Sequence, residues 1–311
     1  PVRRGGTVLA MRIGLVSNQV ASGTIDDVIE EARAAAADGF HTFWSSQIFG
    51  FDALTVLALV GREVPGIELG TAVVPTYPRH PMMLAQQALT VQAATGGRLA
   101  LGIGLSHQIV VESMWGISFE KPVRHMREYL SVLMPMLEGK PVAFNGETYK
   151  VNAAASVVGG SRPSVIVAAL GEQMLRVCGA LTDGTSTWCV GPETLRTFTV
   201  PTLREAAEAA GRPAPRVEAS FPVCVTDDPD AARARAAKLF AIYAQLPSYR
   251  AMMDKEGVED ASGLAIVGSE AEVADRIKDL ASAGVTDFAA AAFPSNPDEA
   301  GRTRAVLKSL I

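Results

Sequence analysis

Two polar side chains in this sequence stand where chemistry could be done, His107 and Gln47, each just beyond a run of strand-forming residues. His107 closes the segment Leu99-Ala-Leu-Gly-Ile-Gly-Leu-Ser-His107. An imidazole ionises near neutral pH, so a histidine delivered to a strand end can give or take a proton. The apolar run finishes on Gly102 and Gly104, which let backbone approach a ligand closely, and Ser106 precedes the ring. A glycine cluster by itself is ordinary punctuation between strand and loop. Its weight comes from recurrence: similar strand ends lie at Trp44-Ser-Ser-Gln47, Ala72-Val-Val-Pro75 and Val167-Ala-Ala-Leu-Gly171. Gln47 can hydrogen-bond but cannot act as an acid or base near neutrality. The stretch Ala168-Ala-Leu-Gly-Glu-Gln173 leads into a helix, whose first N–H groups suit a phosphate, although a plain turn reads equally well.

Other chemistries find less support. His41, His80, His107 and His125 are dispersed, with no carboxylate spacing that suggests a metal site. His80 precedes Pro81 and fits a local role at a helix start; His41 and His125 read as surface or interface residues. Cys178, Cys189 and Cys224 form neither a metal knuckle nor a redox pair, which points to a reducing compartment, the cytoplasm. Twenty-eight basic and 33 acidic residues give a net charge of −5 with no basic face, so nucleic acid is an unexpected partner. No apolar run is long enough to span a bilayer, and no membrane association is expected. Trp44, Trp115 and Trp188 fit either a core or a pocket wall.

The elements that must position these residues alternate. Ile13–Val16 is a strand; Thr24 caps a helix running to Asp38; Phe40–Ser45 is the next strand. Helix Asp52–Gly61, strand Ile67–Val74, helix Pro81–Ala94 and strand Arg98–Ile103 continue the rhythm. The stretch 107–163 breaks it and reads as an insertion over the ligand rim, with a helix over Lys121–Leu137 and a hairpin turning at Asn145-Gly146. Strands then recur at Val165–Ala169, Asp183–Cys189, Arg216–Val225 and Asp287–Ala292. Helices are predicted over Glu172–Ala180, Thr194–Ala210, Asp228–Gln245, Glu270–Ala283 and Asp298–Leu310. Eight strands in alternation predict an α/β fold, a closed (β/α)8 TIM barrel, as one domain over 11–311 after an extension at 1–10. An open nucleotide-binding sheet wants Gly-x-Gly-x-x-Gly after its first strand, and Ser17–Gly23 lacks it.

Several segments, in order, resemble one superfamily. They are Ile67-Glu-Leu-Gly-Thr-Ala-Val-Val-Pro75, Arg79-His-Pro81, Gly97-Arg-Leu-Ala-Leu-Gly-Ile-Gly104, Ala180-Leu-Thr-Asp-Gly184 and Val267-Gly-Ser-Glu-Ala-Glu-Val-Ala-Asp-Arg276. The chain resembles the luciferase-like flavin and deazaflavin oxidoreductases, nearest their branch dependent on coenzyme F-420 (8-hydroxy-5-deazaflavin). The resemblance implies a flat tricyclic cofactor at the carboxyl ends of the strands. It places the ring against Ser46, Ala72, Val73, Val74, Pro75, Gly102, Gly104 and Ser106, with a non-proline cis peptide at Ala72–Val73. It places the cofactor phosphate on Ala168, Ala169, Leu170, Gly171, Glu172 and Gln173. Some relatives carry Asp-His where this chain has Ser46-Gln47, which argues against a sugar-phosphate mechanism. His107 falls about where some relatives place a catalytic glutamate, and is the expected proton donor. The implied function is hydride transfer between coenzyme F-420 and a small-molecule substrate. The alternatives are an FMN-dependent monooxygenase and a noncatalytic deazaflavin-binding protein; a homodimer paired through barrel helices is expected.

Overall fold

The computed structural model describes residues 11–311; the expected extension over 1–10 lies outside the described residues. Among these, eight parallel strands close on themselves: β1 (Arg12–Val16), β2 (Thr42–Ser45), β3 (Glu68–Thr71), β4 (Leu99–Gly104), β5 (Ser164–Ala168), β6 (Gly184–Trp188), β7 (Arg216–Val225) and β8 (Asp287–Ala292). Each pairs with the next, and β8 pairs back to β1. This is the closed (β/α)8 barrel expected from the alternation.

Side chains alternate across a strand. Ile13, Phe43, Leu69, Leu101, Val165, Val217 and Phe288 point outward into the core beneath the helices. The inward set is different. Arg12, Glu68, Arg216 and Asp287 close the amino end of the barrel with ion pairs, Arg216 lying 2.9 Å from Glu68 and 2.8 Å from Asp287. Above them come Gly14, Gly70, Ile166 and Glu218, then Trp44, Gly102, Ser186 and Ala289, each group of four drawn from alternate strands. A Cβ at Gly70 would lie 2.1 Å from Trp44 Cε3, and one at Gly14 would lie 2.9 Å from its Nε1. The two glycines therefore make the space that the indole fills.

The outer ring comprises α1 (Ile25–Ala37), α2 (Ala53–Glu63), α3 (Pro81–Thr95), α4 (Pro122–Leu137), α5 (Glu172–Leu181), α6 (Val200–Ala209), α7 (Glu270–Ser282) and α8 (Pro297–Ser309). Local chemistry starts most of them: Thr24 and Ser269 form capping boxes, Asp52 and Asn296 cap with a carboxylate and an amide, and His80 Nδ1 accepts from Met82 N–H. His80 thus has the local role expected of it.

Three features differ from the sequence reading. Within 107–163, α4 is itself the ring member between α3 and α5. The additions there are the loop before it and the hairpin Val142–Asn145/Lys150–Ala153. The predicted helix Asp228–Gln245 stops at Leu239; a 3-10 turn (Ala241–Gln245) and a second helix (Pro247–Glu256) follow, the second helix starting at Pro247, a residue suited to the first helical position. The third strand ends at Thr71 and resumes at Val74–Pro75, beside Ile103 and Gly104.

Candidate functional site

The carboxyl ends of the strands form an open shelf. Its upper inward positions are Val16, Ser46, Ala72, Gly104, Ala168, Trp188, Ser220 and Ala291. Except for the tryptophan they are small or of modest size, and all but Gly104 and Ser220 are partly exposed.

Between the two parts of the third strand, the Ala72–Val73 peptide is cis. It turns Val73 back over β4. A Cβ on Gly104 would lie 2.7 Å from a Val73 methyl, and one on Gly102 would lie 1.9 Å from Thr71 O. The glycines are therefore required by protein approaching protein, rather than by a ligand against their backbone. Thr71 fastens the pair: its Oγ1 donates to Gly102 O at 2.7 Å and accepts from Gly102 N–H at 2.8 Å.

His107 stands just beyond this shelf, after Ser106, whose φ of 62° lies in the left-handed region. The ring is half-buried, and burial lowers its pKa, so it is neutral at pH 7. Its neighbour is Tyr249, ring centroids 5.9 Å apart. Tyr249 packs on Tyr243 at 4.8 Å, and Trp188 meets Tyr243 at 5.9 Å and Phe240 at 5.5 Å. The segment after β7 thus raises an aromatic wall beside the shelf. Nothing local in the sequence ties Tyr249 to His107.

Gln47 is partly committed to structure. Its Oε1 accepts from Ala53 N–H at 3.1 Å at the start of α2, which leaves the amide NH2 for a ligand. Of residues 168–173, Ala168 ends β5, Glu172 and Gln173 open α5, and Gly171 between them is the N-cap, which supplies no side-chain cap. Residues 171–173 are exposed, so the first N–H groups of α5 lie at the surface without a side-chain acceptor from the cap.

Two other buried groups stand near the site, and one of them departs from the sequence reading. His125 is buried, not at the surface. It lies 3.0 Å from Thr76 Oγ1 and stacks on Tyr77 at 3.9 Å; burial pushes its pKa down to about 4. Glu218 lies inside the barrel, fully buried, between the hydroxyls of Ser186 and Ser220. Its alternation with Arg216 and Ser220 along β7 was the signal that it faces inward.

Fold and rim together define an α/β-barrel enzyme with a ligand shelf at the carboxyl ends of its strands. The profile of the family described as luciferase-like monooxygenase matches residues 6–287, and the chain belongs to that family. The 5,10-methylenetetrahydromethanopterin reductase of Archaeoglobus fulgidus is 28% identical over 315 residues, covering 90% of this chain and 93% of its own. The solved coenzyme F-420-dependent tetrahydromethanopterin reductase of Methanopyrus kandleri superposes with a TM-score of 0.81 at 22% identity, over 97% of this chain and 98% of that one. The oxygenating constituent of 3,6-diketocamphane monooxygenase from Pseudomonas putida, in complex with FMN, superposes with a TM-score of 0.76 at 18% identity, over 97% and 98%. The last two likenesses establish the shared fold.

Proposed function

We propose that this protein transfers a hydride between coenzyme F-420 and a small, uncharged organic substrate. The observation that carries the reading is the shelf of small side chains at the carboxyl ends of the strands, with an uncapped helix start at 171–173 at the same rim. The shelf suits a planar ring, and the free N–H groups of α5 suit a phosphate tail. Ser46, Ala72, Val73, Gly104 and Ser106 border the ring in this reading, and residues 168–173 hold the tail; Val74 lies in the core, Pro75 is buried and Gly102 is covered by Thr71, so these three, expected at the ring, do not border it. The names of the reductase relatives favour the deazaflavin.

A deazaflavin supplies or accepts the hydride when bound; the chain's own residues orient it and manage the proton. Neutral His107 takes the substrate proton in the oxidation direction, and the imidazolium so formed returns it to the reduced substrate in the reverse direction. Gln47 NH2 orients the substrate. Ile48 and Phe49 after β2, Ile109 and Met114 after β4, and Leu239 and Ile242 after β7 are exposed apolar residues on rim segments, which favours an apolar substrate.

The alternative is an FMN-dependent monooxygenase, favoured by the family's description and the FMN-bound neighbour. A noncatalytic carrier is the third reading, because Gln47 is partly spent on a helix cap. The buried, unpaired cysteines support a cytoplasmic setting. Exposed Leu59 and Met83, on the packed helices α2 and α3, support a homodimer.

Calorimetric titration with coenzyme F-420 and, separately, FMN tests the reading. Micromolar or tighter binding of the deazaflavin, with much weaker FMN binding, is expected. The opposite order moves the protein to the monooxygenase reading.

A further inference from the structure

The barrel interior holds an ionisable group that the chemistry above does not use. Glu218 is fully buried, its Oε2 accepting from Ser186 Oγ and its Oε1 from Ser220 Oγ, each at 2.5 Å. No cation pairs with it among the described residues. The charged groups facing it belong to the amino-end cluster: Arg216, two residues back on the same strand, and Asp287, beside it on β8. Arg216 spends its guanidinium on Glu68 and Asp287, and Arg12 pairs with the same two carboxylates. On the other strands the inward positions at its own level are Gly14, Gly70 and Ile166, and Trp44 and Gly102 stand at the next level; none of them titrates. Burial accordingly raises its pKa to about 7, against the opposing effect of the two serine hydrogen bonds.

Ser220 is the link upward. It follows Glu218 by two residues on the same inward face, about 6–7 Å nearer the rim. There it sits beside Ala289 on β8 and across from Trp188 on β6. A serine hydroxyl has one proton to give. While Glu218 is ionised, Ser220 donates that proton downward. When Glu218 is protonated, its O–H can donate to Ser220 Oγ, and the serine proton turns toward the shelf.

We infer that Glu218 and Ser220 form a proton relay from the barrel interior to the ligand on the shelf. Glu218 is then a positioning residue acting through Ser220, and the inference rests on the reading of the shelf as a ring-cofactor site. In the transfer, the Glu218 O–H bond breaks and its proton bonds to Ser220 Oγ. The former serine proton bonds to a ligand atom that has gained negative charge, and Glu218 is left as carboxylate. Water recharges it when the shelf empties. With Glu218 neutral, Ser220 donates a hydrogen bond to the ligand; with Glu218 ionised, Ser220 only accepts one.

The test follows two signals on the full chain across neutral pH. Infrared difference spectroscopy reads the protonated carboxyl band, and visible absorption reads bound coenzyme F-420 or FMN. In the wild type, the band should be lost as pH rises through neutrality, and the absorption of the bound cofactor should step with the same midpoint. Glu218→Gln should lose both signals while retaining binding. Ser220→Ala should keep the carboxyl titration but lose the absorption step, and it serves as the test even where Glu218→Gln folds poorly. An absorption step that survives in Ser220→Ala reports a through-space field and overturns the relay, as does a wild type with bound cofactor and no step. Failure of both cofactors to bind overturns the proposed function and the relay with it; binding without the step overturns the relay alone.

Discussion

Replacing Glu218 with glutamine should make the protein's stability less sensitive to pH, by an amount that follows from the burial of the carboxyl. The group ionises at about 7 in the folded barrel and near 4.5 in the unfolded chain. Between those values the folded state holds a proton that the unfolded state has released. The unfolding free energy therefore falls as pH rises through this interval, and the loss is complete above about pH 7. Each pH unit is worth about 1.4 kcal/mol, so the wild type should lose roughly 3 kcal/mol. Glutamine cannot titrate, and every other group is common to both proteins, so their difference isolates this contribution. Urea unfolding of both across about pH 4.5 to 8 is the assay, with the variant gaining about 3 kcal/mol relative to the wild type toward high pH. Below that window, only the cost of exchanging a carboxyl for an amide remains. Parallel stability curves would show that Glu218 is ionised throughout, through water or a cation reaching it, and the reasoning would fail.

Other outcomes test other parts of the molecule. His107→Ala should lower kcat roughly 10²–10⁴-fold with little change in cofactor affinity, and wild-type turnover in that variant makes the histidine a bystander. The His125 imidazole should remain neutral until about pH 4, so its NMR signals should not titrate near 6.5. Because the unfolded chain takes up that proton first, His125 should also make stability fall as pH drops from about 6.5 toward 4. Gly70→Ala should destabilise by about 1–3 kcal/mol or more in thermal unfolding, since the new methyl falls on the Trp44 ring; an unchanged Tm means that the indole has somewhere else to go. Glu128 accepts the N–H groups of Glu147, Thr148 and Tyr149 at 3.0, 2.7 and 3.1 Å. Glu128→Ala should thus cost about 2–3 kcal/mol and speed amide exchange in the 142–153 hairpin, and unchanged exchange there argues that water replaces the carboxylate.

What the sequence alone determined was local. Thr24, Asp52, Ser269 and Asn296 announce helix starts because a cap is a contact between a side chain and N–H groups two or three residues away. Alternating apolar runs announce the strands, their number announces a barrel, and Gly102 through His107 announces a strand end at a rim. Tertiary structure decided what meets what. Gly102 and Gly104 read as an approach for a ligand, yet the atoms that claim their space are Thr71 O and the Val73 methyls of the neighbouring strand. Tyr249 reaches His107 only because two rim segments far apart in sequence rise on the same side. His125 carries no sign of burial in its neighbours; it is buried because α4 lies against the Thr76–Tyr77 segment. Glu218, Ser186 and Ser220 could be read as inward residues of two strands. That they converge on one another depends on the register between β6 and β7. Register around a closed barrel is fixed by the requirement that every strand pair at once, a condition on the whole sheet that no short stretch of sequence contains.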